Sequence, residues 1–107
     1  MPSMLPVTDE TFAAEVLASE KPVLVDIWAT WCGPCRMVAP VVEQIAAEHA
    51  DSLRVVKLNY DENPRVGRDY QVMSVPTLLL FRDGEVIRTI VGAKPKAALL
   101  RELEAVL

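Results

Sequence analysis

The chain has 107 residues, 51% of them apolar and 24% charged, with a formal net charge of −4. That length supports one substantial core and predicts a single domain over 1–107. The absence of a basic cluster argues against nucleic-acid binding, and no apolar run approaches membrane-spanning length.

In chain order, Thr8 is positioned to cap a first helix, with Asp9 and Glu10 near its positive end. Phe12, Val16 and Leu17 give that helix an apolar face. Lys21-Pro22 then breaks the chain before Val23 to Trp28, a short, continuously apolar run that reads as a buried central strand. A second helix opens around Cys32 and reaches about Ala50, with Val38, Val41, Val42 and Ile45 on one side. Pro40 lies inside it and is expected to bend it. Leu53 to Asn59 completes a strand–helix–strand unit with parallel pairing.

Asn63-Pro64 reads as a cap and first-turn proline opening a short helix towards Tyr70. Thr77 to Phe81 and Glu85 to Val91 flank Asp83-Gly84, a strong hairpin signal. From about Pro95 to Leu107, the residues Leu99, Leu100, Leu103 and Val106 share one helical face. The order αβαβαββα predicts an α/β fold, a mixed central sheet with helices on both faces.

Chemistry concentrates in Trp31-Cys32-Gly33-Pro34-Cys35, directly after the predicted central strand. A thiol at the start of a helix meets unpaired N–H groups and the positive end of the macrodipole, both of which favour thiolate. Thiolate is the form that attacks disulfides. Structural zinc takes four Cys or His ligands, whereas two cysteines and one histidine, His49, cannot close such a site within one chain. Zinc shared between two chains stays open. A purely structural bridge is weak, because so short a loop contributes only about 2 kcal/mol. The run Met1 to Pro6 shows neither a basic leader nor a long apolar stretch. Two cysteines without a leader favour a reducing compartment, and the cytoplasm is expected.

With Trp-Cys-Gly-Pro-Cys at a strand–helix junction, the chain resembles the thioredoxin family. The resemblance extends to Val25-Asp26-Ile27-Trp28-Ala29, Pro40, Lys57, Asn63-Pro64, Val75-Pro76-Thr77, Asp83-Gly84 and Val91-Gly92-Ala93. Ile27, Arg36 and Tyr60 depart mildly from the family pattern without touching a reacting atom. The resemblance implies a thioredoxin fold and a protein-disulfide reductase that works without cofactor or metal. It also implies a monomer recharged by a thioredoxin reductase and serving disulfide-containing client proteins.

Cys32 is expected to attack the substrate disulfide, and Cys35, one turn further in and more buried, to resolve the mixed disulfide. Gly33 and Pro34 serve as turn and early-helix residues and, through the resemblance, favour a reducing dithiol because they carry no charge. Trp31 reads equally as core or as a substrate-contacting shield. Asp26 alone reads as a buried acid paired with Lys57, whereas the resemblance makes it the proton exchanger of Cys35. Desolvation is expected to leave Asp26 partly or wholly protonated near neutral pH, against the opposing pull of Lys57. Sequence alone predicts a trans bond before Pro76. The resemblance implies cis, with Val75's backbone offered to substrate and Gly92 permitting close approach.

Overall fold

Residues 4–107 are described by a computed structural model, so Met1 to Ser3 of the amino-terminal run lie outside the described residues. The described residues form five strands, the last two consecutive and the others separated by helical segments. They are β1 (Leu5–Pro6), β2 (Val23–Trp28), β3 (Arg54–Asn59), β4 (Thr77–Arg82) and β5 (Glu85–Val91). Between them run a π-helix (Ala13–Leu17), α1 (Gly33–Glu48) and α2 (Pro64–Asp69), and the chain closes with α3 (Lys96–Glu102) and a 3₁₀ turn (Glu104–Val106).

The sheet order is β1-β3-β2-β4-β5. β1 and β2 run parallel to β3, while β4 is antiparallel to both β2 and β5. The expected mixed sheet is therefore present, with one strand added. β1 escapes sequence reasoning because two exposed residues, one a proline, carry no periodicity at all. The last helix is also shorter than expected, ending at Glu102 before the 3₁₀ turn.

Alternation along each strand divides the core into two layers. Leu24, Val55, Leu78 and Leu80 meet Val38, Val42 and Ile45 of α1 and Leu99 of α3 on one face. Val25, Ile27, Val56, Leu58, Leu79 and Phe81 meet Phe12, Val16 and Val66 on the other. Truncating a fully buried leucine such as Leu24 would cost about 2–5 kcal/mol. α1 continues through Pro40, an exposed position where the ring meets solvent rather than the core. Between β4 and β5, Asp83 and Gly84 both take positive φ, 53° and 80°, the primed-turn geometry that suits a right-twisted hairpin.

The capping residues are shared differently from the sequence expectation. Thr8 and Thr11 bond reciprocally, each hydroxyl accepting the other's N–H at 3.2 and 2.8 Å. Asp9 instead serves the distant helix α2. Its two carboxylate oxygens accept the N–H groups of Arg65 and Val66, each at 3.0 Å. Asn63, the residue before α2, makes no capping bond of its own and accepts the Asp9 N–H at 2.8 Å. A side chain more than fifty positions away therefore supplies the cap.

Candidate active site

The loops after the carboxyl ends of the parallel strands β2 and β3, together with the loop entering β4 and the end of β5, build the site, at the edge where open α/β sheets generally place their chemistry. After β2 the chain turns through Ala29 to Trp31, and the Cys32 N–H donates to the Ala29 carbonyl at 3.2 Å. Cys32 is then the N-cap of α1 in extended conformation (φ −93°, ψ 107°). Its Sγ accepts the Cys35 N–H at 3.1 Å, so the sulfur itself occupies the place of a capping oxygen. Gly33 and Pro34 form the exposed first turn, where proline's missing N–H costs nothing.

Cys32 and Cys35 are joined as a disulfide, with Cα atoms 5.3 Å apart. Both are almost fully buried in this state, at 3% and 4% exposure. The expected difference in burial between them is absent here. What separates the two is position, with one sulfur at the helix terminus and the other inside the first turn.

Val75 packs against Ala29, Cys32 and Cys35, and the Val75–Pro76 bond is cis. The Thr77 hydroxyl donates to the Ser74 carbonyl at 2.7 Å, closing this loop on itself. Pro76 in turn accepts the Gly92 N–H at 2.9 Å, which brings the end of β5 alongside. A Cβ on Gly92 would meet open space, yet φ is +88° there. Backbone conformation, as well as room for an approaching chain, therefore selects glycine.

Trp31 is not core: it is 65% exposed, and its indole N–H donates to Asp61 Oδ2 at 2.7 Å. Asp61 and Tyr60 were not singled out as site residues by sequence reasoning. Tyr60 extends past β3, its N–H donating to the Trp28 carbonyl at 2.8 Å and its hydroxyl to the Val72 carbonyl at 3.2 Å. The aromatic ring thus braces the segment leading to Val75, a use for hydroxyl that an aliphatic residue could not provide. Only the position of Tyr60 and Asp61 immediately after a strand's carboxyl end could have marked them.

Strand alternation places Asp26 on the α1 face, in step with Leu24. It is register partner of Lys57 across β2 and β3 and is 2% exposed. One carboxylate oxygen, Oδ1, is buried without a hydrogen-bond partner. Burial pushes the Asp26 pKa up to about 6, against the lowering effect of the Lys57 charge. A carboxyl held near 6 is partly protonated near neutral pH. A cavity of about 580 Å³ is lined by Asp26, Lys57 and Cys35 together, along with Trp28, Arg36 and Glu43. Asp26 and the inner cysteine therefore share one space beneath the disulfide. His49 stands apart, at the carboxyl end of α1.

The disulfide at the start of α1 thus lies between the cis-proline loop on one side and the cavity of Asp26 on the other, an arrangement suited to thiol–disulfide exchange. Comparison with known proteins agrees. The thioredoxin family profile matches residues 3–105. A thioredoxin from Mycobacterium tuberculosis is 64% identical over 100 residues, covering 94% of this chain and 86% of that protein. Thioredoxin 1 of Synechococcus elongatus is 57% identical over 98 residues, 92% of each chain. A bifunctional thioredoxin reductase/thioredoxin of Mycobacterium leprae is 60% identical over 100 residues, spanning 94% of this chain and 22% of that protein. The chain belongs to the thioredoxin family. It is a protein-disulfide reductase working by dithiol–disulfide exchange through Cys32 and Cys35.

Proposed function

We propose that Cys32 is the attacking thiolate and Cys35 the resolving one, with Asp26 taking up the Cys35 proton. The Cys32 thiolate attacks one sulfur of a client disulfide, the client S–S bond breaks, and the other client sulfur leaves as thiolate. Cys35 then attacks Cys32 Sγ, releasing the second client sulfur and closing the internal disulfide. Two electrons pass to the client. The observation that carries this reading is the asymmetry of the pair: Cys32 Sγ receives an amide N–H at the helix start, while Cys35 shares a cavity with Asp26. Ionised Asp26 accepts the Cys35 proton, and Lys57 keeps that acid from being held protonated too tightly.

Clients dock over exposed Trp31, Gly33 and Pro34, in extended form along Val75 and Pro76, with Gly92 leaving room at the rim. A thioredoxin reductase recharges the disulfide, a pairing supported by the Mycobacterium leprae relative that carries both names in one chain. The protein acts as a monomeric single domain over 1–107, in the cytoplasm, needing no cofactor or metal of its own. No described helix is long and apolar enough to cross a membrane. The test is reduction of a disulfide-bonded protein in an assay coupled to a thioredoxin reductase. Turnover that vanishes in both Cys32→Ser and Cys35→Ser supports the reading; turnover surviving either change overturns it.

A further inference from the structure

Four methionines are present, and the three within the described residues have very different surroundings. Met4 is buried at 6% exposure, whereas Met37 and Met73 are 74% and 90% exposed. With both cysteines tied in the buried disulfide, Met37 and Met73 carry the only sulfur atoms open to solvent among the described residues. Met73 is held outward rather than left loose. Val72 before it is buried in the core, accepting the Tyr60 hydroxyl, and Ser74 after it is bonded by Thr77. Two positions on, Val75 rests against the cysteine pair. Met37 lies two residues beyond Cys35 on α1, a rotation of about 200° that turns it to the far side of the helix from that sulfur.

We infer that Met73 is an oxidation site, and that its conversion to the sulfoxide weakens docking of protein clients while leaving the dithiol chemistry intact. This rests on the docking surface proposed above. The oxidant is a hydroperoxide. The Met73 sulfur attacks the terminal peroxide oxygen, the O–O bond breaks and an S–O bond forms. Sulfur loses two electrons, and the remaining peroxide oxygen leaves as water or an alcohol after taking up the terminal proton. A flexible apolar side chain becomes a polar one at the rim of the Val75–Pro76 loop, and a sulfoxide reductase can reverse the change. The disulfide form is the state that exposes this reaction selectively, because its cysteines offer no thiolate to compete.

Disulfide-bonded protein is treated with hydrogen peroxide, freed of oxidant, mapped by peptide mass spectrometry and then reduced for assay. The expected map shows one added oxygen at Met73 well ahead of Met4. KM for a disulfide-bonded protein client should rise about threefold to tenfold with kcat retained, and the rate on a small aromatic disulfide should not change. Each variant is compared with itself before treatment: Met73→Leu should show no rise in KM, and Met37→Leu should respond as the parent does. Treatment with a methionine sulfoxide reductase should restore the original KM. The proposal is overturned if Met73 oxidises no faster than Met4, if its oxidation leaves KM unchanged, or if the rise persists in Met73→Leu. A loss on the small disulfide as well would also overturn it, by placing the damage on the dithiol. The trapping behaviour of the cysteine variants tests the exchange mechanism separately.

Discussion

Asp26 and Lys57 face one another as register partners on adjacent parallel strands, and only one of them is buried. The pair is lopsided: desolvation of the acid outweighs the attraction of the lysine, so the carboxyl is held up at about 6. A folded-state pKa above the ordinary 3.8 means the native protein binds the proton more tightly than the unfolded chain. Stability therefore falls as pH rises from about 4 to about 6, and the deficit stays in place above that window. Asp26→Asn should raise stability by about 2 kcal/mol at pH 8 and by little at pH 4. Urea unfolding of the disulfide form at the two pH values checks this. An equal gain at both would show that charge burial is not the cause. Turnover near neutral pH should fall in the same variant, because the proton acceptor for Cys35 is gone.

Cys35→Ser should accumulate mixed disulfides between Cys32 and client proteins, detectable as thiol-sensitive adducts on non-reducing gels. Cys32→Ser should accumulate none. Adducts appearing in the Cys32 variant instead would reverse the assignment of attacking and resolving thiols.

Trp31 is oriented by Asp61 from a separate loop. Asp61→Ala should free the indole and raise KM for protein clients about twofold to fivefold, with kcat changed less. Asp61→Asn, which keeps an acceptor, should recover most of the loss. The same series should shift tryptophan fluorescence in step with KM. Unchanged KM in Asp61→Ala would leave the contact without a part in docking.

Asp9 makes two side-chain bonds to the start of α2, while its backbone N–H donates to Asn63 and its carbonyl accepts from the Arg65 guanidinium. Asp9→Ala should cost about 1–2 kcal/mol in denaturant unfolding, the scale of a lost helix cap. A loss of only a few tenths would mean that water replaces the carboxylate there.

Much of this arrangement was legible beforehand because its signals are local. The apolar run Val23 to Trp28, the Asp83-Gly84 turn and the cysteine pair each announce their structure within a few residues. Those that were missed depend on partners far along the chain. Asp9 reads as belonging to the helix beside it, and nothing nearby reveals that its oxygens reach Arg65 and Val66. Asp61 looks like an ordinary loop acid until the fold carries Trp31 to it. The equal burial of Cys32 and Cys35 is a third case, since Val75, far along the chain, packs against the pair.

The two margins of the sheet have a consequence for how the protein behaves in a crowded solution. One margin is β1, two residues long and ending in Pro6, which has no N–H to offer a neighbour. The other is β5, where the register slips against Leu80 and Phe81 and the exposed positions include Glu85 and Arg88. Among the described residues, β1 is too short to template another chain, and along β5 the register slip and the exposed Glu85, Arg88 and Thr89 interrupt the row of open backbone groups. A mostly apolar protein of this kind can therefore keep its reactive surface uncovered without inviting strand-to-strand growth into fibrils.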